Sequence, residues 1–338
     1  MDGWRTGGER HALKRVAQAR RLRERSRYSL VLRTLFVLPL MLAASRASSA
    51  ELPSAPFVVD EVAPGVFVHT GKLLPLDAAG HDDIANVGFV VGARCIAVID
   101  TGGSPRIGRA LRETITRHSR LPICYVINTH VHVDHVLGNA AFKNDKPTFV
   151  GHVGLVDAIA RSRDYFVQHY AVDFDAPATS DQIVGPDKTV TTTLELDLGG
   201  RRLQLRAWPK AHTDCDLTVY VEDAQVLWTG DLLFRERIPA LDGSVRGWLA
   251  VIDELSRMQA NLVVPGHGAV TGDLPAALAP ERRYLQTLVD GVREEIAAGK
   301  SIEDATAHVG NAEKANWRLW ESAHARNVSR VYQELEWE

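Results

Sequence analysis

Cysteine is scarce in this chain, which has three cysteines among its 338 residues. Cys95 and Cys124 lie in apolar runs that are typical of small buried core positions. No Cys-x-x-Cys pair occurs and three cysteines cannot all pair within one chain, so we expect no disulfide framework. Cys215 differs from the other two because it lies in a polar loop, three residues after His212.

The sequence also lacks the surface that nucleic acids require. Its formal net charge is -3 at pH 7, because the acidic remainder of the chain outweighs an arginine-rich stretch over residues 1–28. Beyond that stretch, no basic stripe is interleaved with aromatic residues. We therefore expect no nucleic-acid partner.

No apolar run reaches the roughly 20 residues that a membrane-spanning helix needs. The longest candidate, residues 28–44, is interrupted by Arg33 and Pro39. Because basic residues precede it and small residues follow it, residues 1–50 are typical of a signal segment that is removed after export. We predict cleavage after Ala50, a periplasmic or secreted protein, and no stable membrane span after cleavage. An uncleaved single-helix anchor is the alternative.

The rest of the chain has an ordinary globular composition, 45% hydrophobic and 24% charged. Alternating apolar runs predict antiparallel strands at residues 59–62, 66–71, 86–92 and 95–100, followed by helices at 105–117 and 153–170. A second set of strands is predicted at 189–198, 202–208, 216–221 and 225–229, followed by a helix at 247–259 and a strand at 261–265. Residues 276–298 and 302–335 are predicted to be helical. This order predicts an α/β fold with two sheets packed face to face and helices outside.

Residues 129–135 contain three histidines and one aspartate. His130, His132, Asp134 and His135 follow an apolar, β-rich run at residues 122–128 and precede a segment that can start a helix. Open α/β sheets usually hold their functional sites at such a turn, where a strand ends. The density of imidazole and carboxylate groups indicates a metal-ligand cluster.

Three further candidate ligands stand downstream, each flanked by small or apolar residues. Together with the first four they make seven ligands, too many for one zinc ion. Such a set suits two ions about 3.5–4 Å apart, with a bridging carboxylate and a bridging hydroxide. The pattern therefore predicts a dinuclear hydrolytic site with Zn2+ (two ions) on His130, His132, Asp134, His135, His212, Asp231 and His267.

These motifs resemble the ordered ligand motifs of the metallo-β-lactamase-fold hydrolases, over residues 66–268. The sequence Asp100-Thr-Gly matches the family's motif ahead of the metal loop. The resemblance implies a four-layer αββα sandwich over residues 51–275. Residues 276–338 are then a C-terminal helical extension packed on the same domain.

The resemblance also implies how the ligands divide. One zinc ion would be held by His130, His132 and His212, the second by Asp134, His135 and His267, with Asp231 between them. Asp134 is the candidate catalytic residue, because it can orient the nucleophile or pass its proton. Asp100 is expected to hold a ligand histidine from behind.

Within that family, residues 84–92, 126–132, 213–218, 227–234 and 238–243 are similar to those of the exported quinoprotein relay system zinc metallohydrolases. This finer resemblance implies a periplasmic quinoprotein dehydrogenase as a partner. The group carries Asn where this chain has Cys215, a thiol that either alters metal affinity or packs in the core.

The leading interpretation is an exported, zinc-dependent metallohydrolase for a small-molecule substrate. Its hydroxide would attack the carbonyl of an ester, lactone, thioester or amide, β-lactams included. A glyoxalase-II-like thioesterase and a non-catalytic accessory protein for quinoprotein maturation remain the alternatives. Asp231 stands where antibiotic-hydrolysing relatives usually have Cys or Ser, so a dedicated β-lactamase is disfavoured. His132 stands where flavodiiron proteins usually have Glu, so redox chemistry of that type is disfavoured too.

Specificity is expected in the loops around the site. His81, in the long loop at residues 72–85, is a candidate for substrate contact. Arg246 and Trp248, which follow Asp231, are candidates for the mouth of the site.

Overall fold

Two β-sheets form the centre of the computed structural model, which describes residues 57–338. The predicted signal segment at residues 1–50 lies outside the described residues. The strands are β1 (Asp60–Ala63), β2 (Val66–His69), β3 (Val87–Val91), β4 (Ile96–Ile99), β5 (Ile123–Ile127), β6 (Thr148–His152), β7 (Lys188–Val190), β8 (Thr193–Asp197), β9 (Arg202–Ala207), β10 (Leu217–Val221), β11 (Val226–Phe234) and β12 (Leu262–His267). The helices are α1 (Pro105–His118), α2 (Val133–Val136), α3 (Leu155–His169), α4 (Val245–Leu255), α5 (Leu274–Ala297), α6 (Ile302–His308) and α7 (His324–Leu335).

The first sheet has the order β1-β2-β3-β4-β5-β6-β7. Its first four strands form the predicted antiparallel meander, and β4 to β7 are parallel. The second sheet has the order β12-β11-β10-β9-β8 and is antiparallel except for the parallel pair β11 and β12. The parallel strands of both sheets provide the carboxyl ends at which a site can form.

Strand β4 shows why the layers assemble as they do. Successive side chains of a strand point to opposite faces, so a fully apolar strand must be covered on both sides. Ile99 faces the second sheet and belongs to the same core as Trp228 of β11. Val98 points the other way and packs with Leu111 of α1. The strand therefore lies between a helix layer and the second sheet.

Helices α4, α5 and α7 cover the outer face of the second sheet with a separate hydrophobic core that includes Leu233, Trp248 and Val328. Each fully buried side chain of this size contributes about 1.5–3 kcal/mol to folding.

The four-layer αββα sandwich predicted from the sequence is confirmed. The boundary predicted at residue 275, between the sandwich domain and the C-terminal helical extension, stays a prediction. None of the helices within residues 57–338 has both the length and the apolarity to span a membrane.

Two secondary-structure predictions were wrong. Residues 189–198 are not one strand, because β7 belongs to the first sheet and β8 to the second. The chain changes sheets there without a glycine or proline to mark the break. Residues 302–335 are not one helix either. Helix α6 ends before Gly310, which has a φ of 74°, and short 3-10 turns separate it from α7.

The expectation that the chain has no disulfide was also wrong. Cys95 and Cys124 form a disulfide with a Cα–Cα separation of 5.8 Å. Cys95 immediately precedes β4 and Cys124 lies in β5, so the parallel pairing of those strands makes the two residues neighbours. The sequence separation of 29 residues concealed this contact. Cys215 is the remaining free cysteine among the described residues.

Candidate metal centre

The stretch at residues 129–135 leaves the carboxyl end of β5, as predicted. Apolar β5 ends at Ile127, and a segment without regular secondary structure at residues 128–132 leads into α2 at Val133. His132 is the residue that precedes α2, while Asp134 and His135 lie within it. The helical bend therefore turns Asp134 and His135 in a different direction from His130 and His132.

The remaining three candidate ligands come from the second sheet. His212 lies in the loop between β9 and β10, and His267 is the last residue of β12. Asp231 lies inside β11 rather than at a strand end. The pairing of β11 with β12 is irregular around this residue. Gly266 makes room for it, because a Cβ at that position would collide with Asp231 Oδ1.

Three ring nitrogens from the two sheets meet on one side of the site. His132 Nδ1 lies 3.0 Å from His130 Nε2 and 3.0 Å from His212 Nε2. Donors bound to one tetrahedral zinc ion at about 2.1 Å would lie roughly 3.4 Å apart. We call His130, His132 and His212 the first ligand group; its spacing is close to that of a shared ion.

Asp134, His135 and His267 form the second ligand group. Asp134 Oδ2 lies 3.6 Å from His135 Nε2 and 3.4 Å from His267 Nε2. Asp231 stands between the two groups, since its Oδ2 is 3.2 Å from His267 Nε2 and 3.5 Å from His212 Nε2. The structure thus brings all seven predicted residues together in the predicted division.

The outward nitrogen of every one of these histidines already has a partner. His130 Nδ1 donates to Thr129 Oγ1, which itself donates to a carboxylate. His132 Nε2 donates to Asp242 Oδ2 at 2.9 Å, and His135 Nδ1 donates to Asp100 Oδ2 at 2.8 Å. His212 Nδ1 donates to Ala240 O at 2.6 Å, and His267 Nδ1 donates to Ile84 O at 2.8 Å. Because those acceptors fix the tautomers, the inward nitrogens carry lone pairs.

Lone pairs that face one another at hydrogen-bond distance have no proton to share, so the arrangement fits a cation and not a hydrogen-bond network. Two further buried atoms also fit a bound cation. His135 Nε2 and Asp231 Oδ1 are 3.1 Å apart, yet neither has a hydrogen-bond partner among residues 57–338. Imidazole nitrogen and carboxylate oxygen are donors that zinc favours. The residues present therefore fit a two-ion centre.

The electrostatics of the cluster also favour cations. Burial, reinforced by neighbouring His132, lowers the pKa of His212 to about 3, so this ring is neutral at pH 7. Burial opposes ionisation of Asp231, but the surrounding histidines, His267 first, outweigh it and hold its pKa well below the usual range. At neutral pH His212 is therefore a neutral imidazole and Asp231 an ionised carboxylate, the states in which these two residues can bind a metal ion.

Asp100 holds the ligand His135 from behind, as predicted, and it also binds Thr129 next to the first ligand group. Its Oδ1 accepts from Thr129 N at 2.8 Å, and its Oδ2 accepts from Thr129 Oγ1 at 2.7 Å and from His135 Nδ1. The residue has a φ of 52°, in the left-handed region that aspartate tolerates better than most residues. This strained position at the end of β4 aims both oxygens at the ligand loop.

Asp242 is a functional residue that sequence reasoning missed. Its carboxylate accepts from His132 Nε2, and His132 and Arg326 are among the groups that hold its pKa below the usual range although burial opposes this. Asp242 lies in a loop 110 residues after His132. The available signals were its place in the stretch 238–243, which resembled the quinoprotein-associated group, and in the loop at residues 241–248, where specificity was expected.

The candidate ligands open into a cavity of about 140 Å³. Its walls include Leu76 and Ile84 from the loop that precedes β3, Phe234 from β11, and the arginines Arg237 and Arg326. Leu76 also lines a larger adjoining cavity of about 700 Å³ that reaches Trp317 and Trp320. The loop at residues 72–85 thus contributes to the site, through other residues than the predicted one.

The three predicted mouth residues are placed elsewhere. His81 Nε2 lies 2.8 Å from Asp173 Oδ2, and the ring is not part of the cavity wall. Arg246 pairs with Glu334 and Glu338 on the surface. Trp248 is fully buried behind His212, with a ring-centroid separation of 5.2 Å. Trp248 therefore supports a ligand and does not reach the mouth.

Cys215 packs in the core beneath the ligand loop. Its side chain is fully buried with Val131, Val136 and Leu155. Burial raises the pKa of its thiol far above the usual range, so the group stays protonated at neutral pH. Among the two roles open at the sequence level, the structure favours packing.

Comparison with known proteins agrees with this geometry. The sequence profile described as the metallo-beta-lactamase superfamily matches residues 81–267, which is more than half of the chain and contains all seven candidate ligands. Several relatives show more limited similarity. A linear primary-alkylsulfatase from Pseudomonas sp. is 23% identical over 51% of this chain and 39% of its own length. A metallo-beta-lactamase type 2 from Bacillus sp. is 23% identical over 63% of this chain and 76% of its own.

A third relative is more similar over a shorter region. A hydroxyacylglutathione hydrolase from Brucella anthropi is 31% identical over 32% of this chain and 33% of its own length. The chain thus spans about two fifths of the alkylsulfatase and a third of the hydroxyacylglutathione hydrolase.

Solved structures share the fold at low sequence identity. A metallo-beta-lactamase from Pontibacter korlensis has a TM-score of 0.55 at 22% identity, covering 68% of this chain and 98% of its own. A stereoselective inverting sec-alkylsulfatase from Pseudomonas sp. has a TM-score of 0.61 at 18% identity, covering 82% of this chain and 50% of its own. With the profile match, the sandwich and the convergent histidine and aspartate groups, the chain belongs to the metallo-beta-lactamase superfamily of metallohydrolases.

Proposed function

We propose that this protein is an exported dinuclear zinc hydrolase that cleaves a small carbonyl compound: an ester, lactone, thioester or amide. One observation carries the proposal. Four buried histidines and the partly buried His132 direct lone pairs inward, while their outward nitrogens are held by Thr129, Asp242, Asp100 and two backbone carbonyls. A purely structural polar core would satisfy those inward nitrogens with hydrogen bonds.

Two zinc ions, when bound, supply a Lewis acid for the carbonyl and lower the pKa of bound water from 15.7 to about 7. The chain's own residues divide the other tasks. Asp134 Oδ2 faces the cavity between His135 and His267, where it can orient an attacking water and take or return its proton. Asp100 and Asp242 hold ligand rings in place, so little reorganisation accompanies the reaction.

The names of the relatives define the substrates worth comparing. They include a metallo-beta-lactamase, a hydroxyacylglutathione hydrolase and two alkylsulfatases. The glyoxalase-II-like alternative has the support of the 31% identity to the hydroxyacylglutathione hydrolase. A partnership with a quinoprotein dehydrogenase stays a prediction of the sequence resemblance.

The disulfide between Cys95 and Cys124 supports export. Disulfides form and persist mainly in oxidising compartments such as the periplasm and the extracellular space. Together with the signal-like composition of residues 1–50, it favours a periplasmic or secreted protein over a cytosolic one.

A substrate panel tests the hydrolase. The exported, purified protein is assayed with nitrocefin, 4-nitrophenyl acetate, a homoserine lactone, S-lactoylglutathione and dodecyl sulfate. We expect turnover of at least one carbonyl substrate and a loss of about 10³-fold or more in the His132→Ala variant, since metal ions contribute several kcal/mol to such reactions.

The matched control is His118→Ala, which removes a histidine at the end of α1 that hydrogen-bonds to Thr114 O of its own helix and packs on Phe67 and Phe89, outside the ligand groups. This variant should retain wild-type activity. Turnover confined to dodecyl sulfate would contradict the carbonyl class, and full activity in His132→Ala would contradict the site itself.

A further inference from the structure

Asn327 is a fully buried polar residue of α7, in the part of the chain that follows all seven candidate ligands. Its amide binds the backbone of residues 239–242, which we call the Asp242 loop. Asn327 Oδ1 accepts from Leu241 N at 2.9 Å, and Asn327 Nδ2 donates to Pro239 O at 2.7 Å. Because a backbone N–H can only donate and a carbonyl can only accept, these two bonds fix the orientation of the amide.

The Asp242 loop carries both of the acceptors that hold His132 and His212. Asp242 Oδ2 accepts from His132 Nε2, and Ala240 O accepts from His212 Nδ1. The two residues that Asn327 binds alternate along the chain with these two acceptors. A displacement of the loop would therefore move both acceptors relative to the two ligand rings.

The backbone of the Asp242 loop depends on Asn327 for partners. Residues 239–242 lie outside every helix and strand, and Pro239 has no backbone N–H to donate. Pro239 and Leu241 are buried, and within residues 57–338 Asn327 is the hydrogen-bond partner of Pro239 O and Leu241 N. Since buried backbone groups are costly when unpaired, loss of the amide would force the loop to shift.

Asn327 is itself held from the opposite side by a short chain of hydrogen bonds. Asn327 Nδ2 donates to Tyr284 Oη of α5 at 3.0 Å, and Tyr284 Oη lies 3.1 Å from His324 Nδ1. His324 Nε2 donates to Val309 O, and burial lowers the pKa of this ring, so its Nδ1 accepts from Tyr284. The amide is therefore fixed between the outer helices and the loop.

The second ligand group is held by a different part of the fold. His135 Nδ1 donates to Asp100, at the end of β4, and His267 Nδ1 donates to Ile84 O, ahead of β3. Neither acceptor belongs to the Asp242 loop. A change at Asn327 should therefore reach one ligand group and spare the other.

We propose that Asn327 is a positioning residue for the first ligand group: it holds the Asp242 loop so that Ala240 and Asp242 aim His212 and His132 at one ion. The inference rests on the proposed dinuclear site and deepens it. It assigns the C-terminal helices a part in the metal centre, namely selective support of the first ion.

Asn327→Leu tests this, because it keeps approximately the size of the side chain and removes both bonds to the loop. We expect the dissociation constant of the first zinc ion to rise about 10-fold, the lower end of the usual effect of losing support behind a metal ligand, and that of the second to change less than about twofold. Metal-free, full-length protein is titrated with zinc against a chromophoric chelator to resolve the two constants. His132→Ala and His267→Ala assign each constant to its ligand group.

A spectroscopic measurement gives a readout that does not depend on turnover. Cobalt(II) binds the same imidazole and carboxylate donors, and its visible absorption reports the geometry of those ligands. In Asn327→Leu we expect the absorption of the first ligand group to change and that of the second to stay as in wild type. Asn327→Ser, whose smaller side chain leaves room for water at the loop, should show the same selective change if Asn327→Leu does not fold.

Tyr284→Phe is the matched control, since it removes one hydrogen bond of the same buried network and leaves both bonds from Asn327 to the loop. It should lower thermal stability and keep both zinc constants. Unchanged constants in Asn327→Leu, equal weakening of both ions, or the same selective loss in Tyr284→Phe would overturn this inference alone. Wild-type protein that binds no zinc would overturn the proposed function as well.

Discussion

Asp231→Asn is expected to lower kcat/KM by about 10³-fold and to leave fewer than two zinc ions bound per chain. The carboxylate lies between the two ligand groups, with Oδ2 close to His267 and His212 and Oδ1 close to His135. An amide of the same shape keeps the packing against Gly266 but loses the charge that can join two cations. The expected loss corresponds to the several kcal/mol that metal ions contribute to such reactions.

Steady-state kinetics and elemental analysis of the same protein batch measure both effects. The control is Glu281→Gln, which changes another fully buried carboxyl group outside the ligand groups. Burial raises the pKa of Glu281 well above its usual range, which favours the uncharged form that the amide mimics, so this variant should behave like wild type. Two tightly bound zinc ions in Asp231→Asn would contradict the bridging position.

Asp100→Asn is expected to weaken zinc affinity by about 10- to 100-fold, the usual effect of removing a partner behind a metal ligand. The carboxylate accepts three hydrogen bonds from Thr129 and His135, whereas an amide must turn one NH2 donor toward another donor. Asparagine tolerates the φ of 52° at this position, so the variant isolates the hydrogen-bonding effect from backbone strain.

Competition with a chromophoric chelator measures the affinity. Asp82→Asn is the matched control, because Asp82 is another buried aspartate, in the neighbouring loop, that pairs with Arg106 and Ser104. Its zinc affinity should equal that of wild type even if its stability falls. Unchanged affinity in Asp100→Asn would show that the ligand rings are held without this residue.

The ligands could be predicted from the sequence because their signals are local. His130, His132, Asp134 and His135 are close neighbours in the chain, and the apolar strand before them has a recognisable pattern. The layers could be predicted for the same reason, since β4 and its neighbours are apolar on both faces. Local pattern and strand order were sufficient for the fold class.

Features that depend on distant partners could not be predicted. The contact between Asp242 and His132 spans 110 residues, and neither residue type identifies the other. The disulfide between Cys95 and Cys124 depends on the pairing of β4 with β5, and the buried state of Arg237 depends on how the loop after β11 closes over the cavity. Each of these features depends on tertiary contacts, which the periodicity and composition of the sequence do not reveal.

The most direct test of the central claim is the zinc content of the purified protein, measured together with its activity. We predict about two zinc ions per chain, loss of hydrolysis when a chelator removes them, and recovery when zinc is returned. Protein that holds no stoichiometric metal, or that hydrolyses its substrate equally well after chelation, would contradict the dinuclear hydrolase.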